Sequence, residues 1–186
     1  MLSQVARGVL DWQNGRPAHP SRMMIVPTYR CNINCGICIR NCWEKPEAFF
    51  DEVPDERWLR LIDEANMMGI PMMTIAGGGE PFVRAKLVQQ LCVKIKSYGM
   101  EGFIQTNGTL ISDEAVEALV ECKWDHVTIS VDAPTAAVND TIRDKGVFDK
   151  TVKTFERFKE IKRKHGSKFP ETAIHMTVTA MNCGSL

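Results

Sequence analysis

The sequence predicts an α/β protein built on a parallel sheet, and three observations predict it. Short apolar runs alternate with longer segments of helical periodicity about five times along the chain, which is the rhythm of βαβ units. The 186 residues, 44% hydrophobic and 25% charged, contain no repeat or low-complexity tract and suit one globular core. Polar and glycine-rich segments fall directly after the apolar runs, where parallel sheets carry their functional groups. Five units are too few to close an eightfold barrel, so an open doubly wound sheet and an incomplete barrel both fit.

Residues 1–22 read as a polar lead-in, in which Gly15, Pro17 and Pro20 break any long helix. The core then runs over 23–186. Met23 to Thr28 is the first strand, with Pro27 limiting its pairing near the end. Asp55 to Met68 is a helix, with Pro54 before it and acids in its first turn. Pro71 to Ala76 is the second strand. Val83 to Tyr98 is a helix whose Leu87, Val88, Leu91, Cys92 and Ile95 share a face, and Gly99 suits its C′ position. Gly102 to Thr106 is a short third strand. Ser112 caps a helix through Val116, Leu119 and Val120. Val127, Ile129 and Val131 alternate in a fourth strand, His126 to Val131. Phe148 to His165 is a helix ended by Gly166, and Thr172 to Met181 is the fifth strand. No covering helix follows before Leu186. An uncovered final strand is a liability, so the expectation is a sequence cut short or a partner that completes it.

Lys plus Arg and Asp plus Glu are both 23, so no net field gathers nucleic acid or an anionic membrane surface. No apolar run approaches the roughly 20 residues needed to span a bilayer, and the start lacks the apolar stretch of a secretory signal. A cytoplasmic protein is expected. His19, His126, His165 and His175 are scattered and form no recognisable triad. Met67, Met68, Met72 and Met73 read as core filling, and Cys92 and Cys122 as packing thiols. Cys183 is expected just beyond strand five, on the pocket side.

Seven cysteines without a signal peptide argue against a disulfide framework, and four of them fall within residues 31–42. Cys31, Cys35 and Cys38 follow the first strand directly. Close-spaced thiolates in a reducing compartment point to metal. Three of them can hold three irons of an iron–sulfur cluster and leave the fourth iron open. A zinc site using Cys42 as well is the alternative, and a non-catalytic zinc or iron–sulfur module is the competing function. Gly77-Gly78-Gly79-Glu80-Pro81 follows strand two and suits either a plain turn or close approach of a ligand to the backbone. Thr106-Asn107-Gly108 follows strand three and Ser130-Val131-Asp132 ends strand four.

Cys-x3-Cys-x2-Cys after a first strand, with GGGEP, TNG and SVD after the next three, resembles the radical S-adenosylmethionine superfamily over roughly residues 23–182. The resemblance implies a partial (β/α)6 TIM-like barrel lacking its last βα unit. It implies a [4Fe–4S] cluster on Cys31, Cys35 and Cys38. It also implies S-adenosylmethionine contacted by Gly78, Gly79, Glu80, Asn107, Ser130, Asp132 and Arg143. Glu80 would meet the methionyl amino group and Arg143 the carboxylate. The activity implied is reductive cleavage to a 5′-deoxyadenosyl radical, which takes hydrogen from a peptide or small-molecule substrate. A flavodoxin or ferredoxin would supply the electron. Relatives carry an aromatic residue before the third cysteine, near the adenine, where this chain has Ile37.

Overall fold

The computed structural model describes residues 4–18, 20–42 and 51–185; His19 and the side chain of Cys42 lie outside them. Five parallel strands lie in sequence order: β1 (Met23–Ile25), β2 (Met72–Ile75), β3 (Glu101–Thr106), β4 (His126–Ser130) and β5 (Glu171–His175). The helices are α1 (Gln4–Gln13), α2 (Asp55–Met67), α3 (Ala85–Ser97), α4 (Asp113–Glu121), α5 (Ala136–Ile142) and α6 (Val147–Lys164). Right-handed crossovers between consecutive neighbours put every crossover helix on one face. A doubly wound sheet would instead reverse its strand order midway. The unbroken order therefore decides for the incomplete barrel.

The core lies between the convex face of the sheet and the helices. Ile25, Met73, Ile75, Ile104, Val127 and Ile129 pack against Ile62 of α2, Leu91 and Ile95 of α3, Val116 and Leu119 of α4, and Phe158 of α6. Each such burial is worth about 1.5–3 kcal/mol. Trp124 is fully buried over Gly102, whose missing side chain leaves room for the indole ring, and its Nε1 donates to the carbonyl of His126 at 3.0 Å. On the concave face, Arg22 stacks over Phe103, which stacks on His126; His126 stands between Glu101 and Glu171.

Four local expectations need correction. The lead-in contains the amphipathic α1, whose residues with described side chains are all exposed or half-buried. Met73 fills the core as expected, but Met67 and Met68 end α2 in solvent, because the apolar face of α2 has already turned away from them. Strand five stops at His175, six residues early. There the chain leaves the ladder because Thr177 N–H and the Asn182 side chain bond to Asp132 instead. Cys183 is exposed in a 3-10 turn and does not line the cleft described below. Cys92 and Cys122 do pack as expected, and burial pushes the Cys92 thiol well up.

Candidate functional site at the strand C-termini

A cleft of about 260 Å³ opens at the C-terminal ends of β1 to β4. Its first wall is the loop after β1. Cys31, Cys35 and Cys38 all line it, with Ile33, Ile39 and Arg40 between and beyond them. Backbone ties shape the loop: Gly36 N–H donates to Ile142 O at 2.9 Å and Cys38 N–H to Cys35 O at 3.2 Å. The Asn41 side chain also donates to Cys35 O, at 2.8 Å. Cys35 is buried, which pushes its thiol pKa up; the charge and hydrogen bond of Arg143 pull it the other way, and Cys31 and Cys38 raise it again. Among the described residues no three His, Cys, Asp or Glu side chains converge tightly enough for a single metal ion. Ligands on three separate irons of a cluster need not share one centre.

The second wall is the turn after β2. Gly78 has φ +61, and a Cβ there would strike Val26. At Gly79 a Cβ would land on the carbonyl of Arg30. The glycines therefore let this turn lie against the chain leading to Cys31, where Gly79 N–H donates to Thr28 O and Glu80 N–H to Arg30 O, both at 2.8 Å. Glu80 is 2% exposed. Its Oε1 accepts from Phe82 N–H and the Thr106 hydroxyl, and its Oε2 from Asn107 N–H at 2.7 Å. Burial nevertheless raises its carboxyl above the ordinary value, against those three bonds. No Lys, Arg or His among the described residues pairs with it. An ionised carboxylate offers about four acceptor positions, so room remains for a cation donor.

The third wall comes from β3 and β4. Asn107 lines the cleft and joins two loops: its Nδ2 donates to Asn32 at 3.0 Å and lies 3.9 Å from Cys31 Sγ. Ser130 and Arg143 also line the cleft. Arg143 is the C-cap of α5 and is largely buried. Asp132 stands behind this wall. It is fully buried, its Oδ2 holds Arg143 Nε at 2.5 Å, and its Oδ1 accepts from Thr177 N–H. Its place is therefore to aim the guanidinium rather than to face the cleft.

Ile37 does not line the cleft; Ile33 and Ile39 supply its apolar side chains. Gln105 and Arg40 line it too and were not singled out from the sequence. Gln105 carried a readable signal, since it lies one before Thr106 on a strand whose alternate residues Ile104 and Thr106 are buried. Arg40 carried none, because its place depends on how the cysteine loop folds back to Tyr29 O.

A family model described as the Radical SAM superfamily matches residues 25–177. The chain is 28% identical over 156 residues to the tungsten-containing aldehyde ferredoxin oxidoreductase cofactor-modifying protein of Pyrococcus furiosus, covering 83% of this chain and 43% of that one. It is 30% identical over 159 residues to the mycofactocin maturase MftC of Mycolicibacterium smegmatis, covering 86% and 38%. Among solved structures, Streptococcus suis SuiB bound to precursor peptide SuiA superposes with a TM-score of 0.73 at 21% identity, covering 98% of this chain and 38% of that one. The chain thus spans about two fifths of the length of these curated relatives.

Proposed function

Because the chain belongs to the radical S-adenosylmethionine superfamily, we propose that Cys31, Cys35 and Cys38 hold a [4Fe–4S] cluster and that the adjoining cleft binds S-adenosylmethionine. The superfamily uses that cluster and that cofactor. The observation that carries the reading is the meeting of three thiols and one buried, unpaired carboxylate in a single cleft. The donor set fits: thiolates suit iron–sulfur ligation, and three of them leave one iron free for an amino acid chelate. Together the bound groups supply reductive cleavage of the sulfonium, releasing methionine and a 5′-deoxyadenosyl radical that takes hydrogen from substrate.

The chain's own residues bind and orient. Glu80 receives the methionyl ammonium through its remaining acceptor position, which relieves the cost of its buried charge. Arg143, with one N–H engaged by Asp132, has donors left for the methionyl carboxylate. Gly78 and Gly79, pressed against the chain before Cys31, line the cleft and present backbone to the cofactor. Asn107 and Ser130 offer an amide and a hydroxyl, while Ile33 and Ile39 line the apolar side.

We further propose a reducing, cytoplasmic setting, in which clustered thiols persist, and a flavodoxin or ferredoxin as electron donor. The substrate is a peptide or a small molecule. Maturases named for mycofactocin and a structure holding a precursor peptide support the peptide, and a cofactor-modifying relative supports the small molecule.

The test is anaerobic reconstitution with iron and sulfide. Close to four irons per chain and 5′-deoxyadenosine release on reduction with S-adenosylmethionine are expected, both lost in Cys35→Ala. One zinc per chain with neither iron nor sulfide would instead establish the non-catalytic module.

A further inference from the structure

Behind the cysteine wall lies a polar network that the proposed chemistry does not use. Glu52 belongs to a segment some twenty residues beyond Cys31, yet it accepts from both Nε and Nη2 of Arg30, at 2.9 and 2.6 Å. It also accepts from the Thr28 hydroxyl, and Arg84 Nε stands 3.7 Å away. Arg84 follows the glycine turn and bonds Pro27 O at 2.7 Å and Val53 O at 3.0 Å, and it pairs with Asp55. The Glu52 side chain is only 17% exposed. Burial alone would raise its carboxyl, but the hydrogen bonds from Arg30 and Thr28 and the two arginine charges outweigh it and hold it below the ordinary carboxylate range.

The geometry of this network matters because of what its partners do on their other side. Thr28 Oγ1 also accepts Arg30 N–H at 3.0 Å, bending the chain just before Cys31. The carbonyls of Thr28 and Arg30 receive the amides of Gly79 and Glu80. One carboxylate therefore grips, through side chains, the two residues whose backbones carry the turn that presents Glu80. Arg84, at the end of the short helix that follows that turn, stands within ion-pair distance of the same carboxylate.

We propose that Glu52 is a positioning residue that fixes the separation between the Cys31 thiol and the Glu80 carboxylate, the two ends of the cofactor site. This rests on the function proposed above. Misplacing reacting groups by about 1 Å can cost orders of magnitude in a reaction, so a clamp at this junction acts on cofactor binding without touching the cofactor.

The experiment compares Glu52→Gln and Arg30→Lys with the parent chain, each reconstituted with its cluster. Arg57→Ala, which breaks the exposed Arg57–Glu64 pair, is the control. Three quantities are read: the thermal midpoint, the electron paramagnetic resonance spectrum of the reduced cluster with and without S-adenosylmethionine, and cofactor affinity by equilibrium dialysis. Well below its thermal midpoint, which falls with the lost ion pairs, Glu52→Gln is expected to bind S-adenosylmethionine roughly tenfold more weakly and to show a diminished cofactor-induced spectral change. Arg30→Lys, which keeps the charge but loses the two-pronged bond, should move in the same direction by less. Arg57→Ala should match the parent. Parent-like affinity and spectra in both variants would overturn the proposal. So would parent-like affinity once the variants are measured well below their thermal midpoints, because Glu52 would then serve stability alone. If the parent itself took up no iron, the failure would lie with the proposed function and not with Glu52.

Discussion

Gly79 shows how little freedom single residues have in this cleft. Its amide and that of Glu80 bond across to the chain before Cys31, and no side chain fits between. Gly79→Ala is expected to cost about 1–3 kcal/mol, the usual range for forced overpacking, read as a lower urea midpoint with an unchanged slope. An unaltered midpoint would mean that the two loops are not in fact pressed together. Glu80 was legible from the sequence as a carboxylate beside glycines. The Phe82 amide is a local cap contact, but the bonds from Thr106 and Asn107 were not legible, because those residues end β3 and open the turn after it, far along the chain. Asp132 illustrates the converse: the family resemblance implies a cofactor contact there, but its buried carboxylate is engaged by Arg143 and Thr177.

At the scale of elements, the connection between α5 and α6 depends on Asp140. Its carboxylate accepts from Gly146 N–H at 2.6 Å and Phe148 N–H at 2.9 Å. Partial burial works to raise its pKa, but these backbone bonds prevail and hold it below the ordinary carboxylate value. A group depressed in the folded state contributes its stability above its unfolded pKa, about 3.9 for Asp. That contribution is lost as pH falls through the lower, folded value. Asp140→Asn should therefore destabilise by about 1 kcal/mol at neutral pH, the typical worth of a cap. The gap to the parent should close as the pH of successive urea titrations is lowered below the ordinary carboxylate range. A gap independent of pH would remove the carboxylate from the account. Gly146 in that connection has φ +73, in the left-handed region that favours glycine. The seven-residue α5 was not visible in the sequence, since its buried Asn139 is placed by a tertiary bond to Asp132 N–H.

At the scale of the whole molecule, one apolar layer joins the sheet to α2, α3, α4 and α6, and among the described residues α1 contributes none to it. Trp124→Ala should accordingly cost about 3–5 kcal/mol, as large aromatic truncations do. Trp12→Ala, at a side chain 75% exposed on α1, should change stability by no more than about 0.5 kcal/mol. Comparable losses at both positions, by chemical denaturation, would show that α1 belongs to the core after all. Among the described residues no helix is long and apolar enough to cross a membrane.

The sequence by itself determined the alternation of strands and helices, the parallel sheet and the family. Each of these follows from periodicity or from residues close together in the chain, such as Cys31, Cys35 and Cys38. Periodicity alone left an open doubly wound sheet and an incomplete barrel both possible, and the family resemblance implied the barrel; the strand order itself came only from the tertiary structure, because it is a property of pairing between distant segments. The tertiary structure alone also drew Glu52, Arg84 and Arg30 into one network, and set Asp132 behind Arg143. Charged side chains on separate loops carry no period, and only the closing of the chain brings them within hydrogen-bond reach.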